Sequence, residues 1–160
     1  MTQASNVISF DTIRKRKAMT QTSNFPHLSR DDWHVIFDRG DFMSFDDQAV
    51  ILRQGIQNSA LFYVDEGDVR IVCHQWGREI ELARLGPGSV FGEMSMLDDA
   101  PLRAAVIAEG EVDIIRIERN ELDQVLADDD KLGARFYRSL AETLAKRLQT
   151  ADRDIKTMFS

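Results

Sequence analysis

The residues best placed for chemistry stand together in the middle of the chain: Gly86-Pro-Gly-Ser-Val-Phe-Gly-Glu93, then Met94-Ser-Met-Leu-Asp-Asp-Ala-Pro-Leu-Arg103. A glycine turn that opens a helix presents backbone N–H groups with no partner inside the helix, and these can cradle an anionic group. Gly92 lets that backbone approach closely, Glu93 supplies an acceptor-only carboxylate, and Arg103 carries a planar fork of donors suited to phosphate. The chemistry this segment offers is recognition of a small anionic molecule.

Other chemistries find less support. Metal-dependent enzymes on antiparallel β folds gather two or three histidines and a glutamate, whereas His27 and His34 lie in or before an N-terminal helix and His74 lies in a strand-like run. That spacing makes no metal site, and no activated Ser, Cys or Lys arrangement is recognisable, so the chain is expected not to be an enzyme and to need no cofactor. Cys73 is the single cysteine and is read as a packed thiol in a reducing, cytoplasmic protein. The net charge of -7 repels nucleic acid and anionic lipid. The short basic run Arg14-Lys-Arg-Lys17 is read as a solvated tail, and no apolar run reaches the roughly 18 residues of a membrane span.

The elements that must position the central segment follow from texture. Residues 1–24 are polar and read as a flexible arm. Ser29 is placed to cap a short helix whose Trp33, Ile36 and Phe37 share one face, ending near Gly40. From Asp41 to Ile117 brief apolar runs, Val50–Leu52, Leu61–Val64, Val69–Val72, Ile80–Leu82, Ala104–Ala108 and Val112–Ile117, alternate with turns expected at Gly55, Gly67, Gly77, Gly86-Pro-Gly88 and Gly110. Short strands at this spacing predict eight antiparallel strands in a jelly roll (a double-stranded β-helix). Two C-terminal helices are predicted, one from Asn120 to about Leu126, the other from the Asp128-Asp-Asp130 run to the end. On the second, Tyr137, Ala141, Leu144, Leu148, Ala151, Ile155 and Met158 recur at alternating spacings of four and three. That is a heptad seam, suited to a homodimer or to a lid on the sheet. The expected organisation is thus an arm at 1–24, a jelly roll at 25–127 and a C-terminal helix at 128–160.

These blocks, spanning about residues 42–150, resemble the cyclic nucleotide-binding domain family in its catabolite activator protein-like branch. Val50-Ile-Leu-Arg-Gln-Gly55, Leu61–Val64 and Gly67 are similar to the family's first glycine hairpin, and Leu85-Gly-Pro-Gly88 through Phe91-Gly-Glu93 to its phosphate-binding cassette. The resemblance implies a regulatory sensor whose ligand is a cyclic nucleotide. Ala104-Ala105 is similar to cyclic AMP-binding members rather than cyclic GMP-binding ones, which points to cyclic AMP first. It implies a ribose-binding role for Glu93 and a ligand-binding set of Gly92, Glu93, Met94, Arg103 and Ala104. Met94, Met96 and Leu97 also read as core residues of the cassette helix. The final helix has Ala151 where the family's adenine-contacting threonine would stand, leaving Thr150 as the candidate base cap.

The arginine departs from the pattern. Family members commonly place Pro-Arg nine residues after the glutamate, but here Leu102 follows Pro101 and Arg103 comes ten residues after Glu93, a spacing also used within the family. Side chains alternate faces along a strand. Counting from Leu102, one face carries Ala104, Val106 and Ala108, the small and apolar pattern of the family, and no gap is needed to Ile117. Counting from Arg103, that face carries Ala105, Ile107 and Glu109, so the parity favours Leu102 at the clamp position. A degenerate cassette serving as a dimerisation or protein-interaction module, or sensing another ligand, is the alternative function. The chain stops at Ser160, a few residues past the seam, so no DNA-reading helix is expected and any control of transcription is expected to run through a protein partner.

Overall fold

A computed structural model describes residues 6–8 and 23–159. It has the strands β1 (Asn6–Ile8), β2 (Asp41–Phe45), β3 (Val50–Leu52), β4 (Ala60–Gln75), β5 (Arg78–Leu85), β6 (Val90–Phe91) and β7 (Ala105–Glu118). Its helices are α1 (Arg30–Phe37), α2 (Glu93–Asp98), α3 (Arg119–Asp128) and α4 (Asp130–Phe159). Every strand pair is antiparallel, in the order β1-β2-β7-β4-β5, with β3 on β7 and β6 on β4. This is the expected jelly roll with flanking helices.

Two glycines expected to be turns are instead bends within long strands. β4 runs through Gly67 and β7 through Gly110, both at positive φ, and the β4–β7 register shifts around Glu66. A Cβ on Gly67 would meet the Glu111 carbonyl at 2.3 Å, so only glycine lets the strands cross that closely. Counting each bent strand as two arms gives the eight expected between residues 41 and 117. Asn6–Ile8, expected within the arm, instead pairs with β2. The Arg14–Lys17 run lies outside the described residues.

The apolar runs of β4 and β7 are continuous because both faces are buried. Leu61 and Tyr63 point to the helices with Ile115 and Ile117, while Phe62 and Val64 point into the roll with Val112 and Ile114. Trp33 stacks on Phe37 with ring centroids 5.2 Å apart and meets Tyr63 at 4.9 Å, and Phe25 packs edge-on to Phe136 at 5.4 Å. Leu132, Phe136 and Leu140, one α4 turn apart, complete this aromatic layer. The first half of α4 therefore packs into the same core as the helices and strands before it. α3 begins at Arg119, which puts Asn120 inside its first turn rather than at its cap.

α1 carries the expected cap: the Ser29 hydroxyl accepts from the Asp32 N–H, and the Asp32 carboxylate accepts from the Ser29 N–H. The same carboxylate takes two bonds from Arg135 of α4, at 2.7 and 3.1 Å. Partial burial pushes Asp32 up, but the Arg135 hydrogen bond, the Ser29 contacts and the Arg135 charge outweigh it and hold the carboxyl below its usual range. A folded value below the unfolded one stabilises above the unfolded pKa and stops doing so as pH falls through the folded value. Asp32→Ala is expected to cost about 1–2 kcal/mol at neutral pH, the range for a lost helix cap. Denaturant melts repeated down the pH scale should show the gap from wild type closing below the carboxylate range.

Candidate functional site

The turn Gly86–Ser89 delivers β6 and then α2, and the segment before it is anchored from the N-terminal side. The Asn24 N–H bonds the Gly88 carbonyl at 3.0 Å and its side chain donates to Ser89 at 2.9 Å. Gly92 takes φ +83 at the start of α2, and a Cβ there would sit 2.9 Å from the Ala60 carbonyl and 3.1 Å from the Phe62 ring. Glycine is thus required by packing of the cassette on β4 as well as by its left-handed backbone. Asn58 fastens the same corner, its amide donating to Ala60 and Gly92 carbonyls at 2.8 and 3.3 Å.

A cavity of about 360 Å³ opens between α2, the loop 101–104 and the β4–β5 edge. Gly92, Glu93, Met94, Arg103 and Ala104 all line it, so the structure brings the sequence-derived set together. Most of the remaining wall is apolar: Leu52, Ile71, Leu82, Leu85, Phe91, Leu102 and Val106. Met94 and Leu97 are about half exposed rather than core, and Met96 alone of the three is buried, because a helix of six residues has only one inward face. Thr150 is not in the cavity wall; its hydroxyl donates to the Lys146 carbonyl one turn back at 3.1 Å.

Glu93 is buried, with 3% of its surface exposed. Its carboxylate accepts a close bond from the guanidinium of Arg147, on α4, which also donates to the Val90 carbonyl at 2.6 Å. Burial pushes the Glu93 carboxyl above the usual carboxylate range, against the opposing pull of the Arg147 charge and of its own backbone N–H. The sequence reading missed Arg147. The signal was present: it continues the inward stripe of Leu132, Phe136, Leu140 and Leu144 by three further residues, where an apolar side chain would be expected.

Leu102 and Arg103 precede β7, so they are set by loop hydrogen bonds rather than by strand alternation. The Leu102 N–H donates to the Ile56 carbonyl at 2.8 Å and its carbonyl accepts from the Gly55 N–H at 2.7 Å. That pair of bonds turns Leu102 onto the inner apolar cluster. The Arg103 side chain is 78% exposed at the rim, 3.9 Å from Asp98. Among the described residues no group of three His, Cys, Asp or Glu side chains could hold a metal ion, and no helix is long and apolar enough to cross a membrane.

The sequence model of the cyclic nucleotide-binding domain matches residues 42–129, more than half of the chain and the whole of the cassette. The chain belongs to that family. This cyclic nucleotide-binding domain is 37% identical over 106 residues to the cyclic AMP receptor protein of Thermus thermophilus, covering 66% of the chain and 47% of that relative. It thus spans about half the length of the curated relative it matches. It superposes on the crystal structure of the Thermus thermophilus catabolite activator protein with a TM-score of 0.74 at 28% identity, over 86% of this chain and 63% of that one. A cyclic nucleotide-binding domain from Methylobacillus flagellatus shares the fold, with a TM-score of 0.74 at 24% identity over 81% of this chain and 74% of that one. The domain is a cyclic nucleotide-binding domain with the fold of the catabolite activator protein.

Removing Arg147 would strand a buried carboxylate. Arg147→Ala is expected to destabilise the domain by about 2–3 kcal/mol at neutral pH, below the range for a fully buried pair because Arg147 keeps a third of its surface in water. Protonation of Glu93 relieves the unpaired charge, so the deficit should shrink as pH is lowered toward the raised carboxyl value. Calorimetric melting of both proteins between neutral and mildly acidic pH checks this.

Proposed function

We propose that this domain is a non-enzymatic cytoplasmic sensor in which occupancy of the Glu93 cavity is communicated to α4, with cyclic AMP before cyclic GMP as the family-implied ligand, held weakly. The observation that carries the reading is the Arg147–Glu93 pair. A ribose hydroxyl seeking the Glu93 carboxylate meets the guanidinium of the output helix, so ligand and helix compete for or share one acceptor. The relative named cyclic AMP receptor protein and the Ala104-Ala105 pair support adenine. The weak binding follows from Leu102: a cyclic phosphate against it loses a charge-assisted pair of about 1.5–3 kcal/mol.

Isothermal titration of cyclic AMP tests this. Wild type is expected to bind weakly or below detection, Leu102→Arg to bind about ten- to a hundredfold tighter, and Arg103→Ala to differ little from wild type. Micromolar binding by wild type that Arg103→Ala abolishes would make Arg103 the phosphate ligand instead.

We further propose that the output is a homodimer through the distal half of α4. Tyr137, Leu148, Ile155 and Met158 are exposed, and residues 148–159 extend about 18 Å at the helical rise. An isolated stretch of that length is marginal in water, so its apolar seam calls for a second copy. Leu144 is half-buried against the domain's own core and is unsuited to the test. Leu148→Glu with Ile155→Glu is expected to give a monomer in sedimentation at concentrations where wild type is a dimer; a monomeric wild type would refute the seam's role.

A further inference from the structure

Among the described residues, the charged side chains lining the cavity are Glu93, Asp98, Arg103 and Arg147. Glu93 and Arg147 form the close pair already described, whereas Asp98 and Arg103 stand at the rim and differ in freedom. The Arg103 guanidinium is 78% exposed and 3.9 Å from the Asp98 carboxylate, beyond hydrogen-bond distance, so it is a solvated cation that an anion can approach. Asp98 is fixed. One oxygen of its carboxylate accepts from the Ala100 N–H at 3.0 Å, and the next residue, Asp99, has φ 54 and is bonded by Arg119 of α3 at 2.7 Å. α2 has six residues, so Asp98 lies roughly 8 Å along the helix axis from Glu93, within the Debye length of about 10 Å in dilute buffer. Its charge therefore acts on any anion held between α2 and the loop 101–104.

We infer that Asp98 is a specificity-determining residue of this cavity: it keeps the site tuned to a monoanion, such as a cyclic phosphodiester, against the dianionic phosphomonoester of the same nucleoside. This rests on the reading of the cavity as the domain's nucleotide-sensing site. Attraction to a wall with a net positive charge grows with the charge of the ligand. With Glu93 and Arg147 cancelling each other, Arg103 alone would leave the wall positive and would draw a dianion more strongly than a monoanion. Asp98 removes that bias while leaving the Arg103 donors free for one anionic group. A cyclic phosphodiester and its open monoester share base and ribose but differ by close to one unit of charge above neutral pH, so charge is the property on which the cavity can separate them.

A ligand series with one base and rising charge isolates the effect: adenosine, cyclic AMP and 5′-AMP, which at about pH 8 carry no charge, one negative charge and close to two. Isothermal titration in dilute buffer compares the full chain with Asp98→Asn, a change of equal size whose amide oxygen keeps the Ala100 bond. Adenosine is expected to stay within about twofold, cyclic AMP to gain about threefold and 5′-AMP about tenfold, because log affinity shifts in proportion to ligand charge. Both gains should disappear in about 1 M salt. The same comparison on the Leu102→Arg background brings weak affinities into range. A gain for 5′-AMP no larger than that for cyclic AMP, with cyclic AMP still bound, overturns the role of Asp98 and leaves the sensory reading standing. If none of the three ligands binds at millimolar concentration on either background, the sensory reading fails and the inference with it.

Discussion

A carboxylate with almost no access to water must be neutralised or bonded, and in this domain that requirement falls on Glu93. Its compensation comes from Arg147, more than fifty residues away in sequence and on a different element. The ion pair therefore fixes where the middle of α4 can lie relative to the cassette. Because the same guanidinium also bonds the Val90 carbonyl, β6, α2 and α4 meet at one point. Such a pair is weak evidence for net stability, since desolvation of two charges opposes their attraction. Its value here is positional: it fixes the middle of α4 against the cavity wall that Glu93 helps to line.

The approach of α4 is prepared by apolar packing. Phe136 and Leu140 dock on the aromatic layer formed by Phe25, Trp33, Phe37 and Tyr63, and Asp32 clamps Arg135 at the outer side. His27 adds a bond to Glu142 at 2.8 Å, and its backbone N–H donates to Ser139. These contacts end near Leu144. Arg147 is the last inward residue, after which α4 has solvent on all sides. The helix thus passes from core to free lever within one turn of the cavity, and that turn carries its one contact with Glu93.

The jelly roll was legible because its strands announce themselves as apolar runs between glycines, and the Ser29 cap because side-chain chemistry there is local. Gly67 and Gly110 misled, since a glycine in a bulge and a glycine in a turn look alike in sequence; only the crossing partner at Glu111 tells them apart. The cassette residues Gly92 and Glu93 were legible from their order. Arg147 is marked in sequence only as a cation on the inward stripe of α4; that Glu93 is its partner depends on a helix packing angle that no short window contains. The inward turn of Leu102 was not a matter of strand parity: it is set by two backbone bonds to the first hairpin, formed before β7 begins.

Those two bonds use only main-chain atoms of Gly55, Ile56 and Leu102. The loop geometry is therefore indifferent to which side chain occupies position 102, and the scaffold can accept a basic, polar or apolar group there without altering its architecture. Charge preference at the cavity is in this sense a modular property, separable from folding.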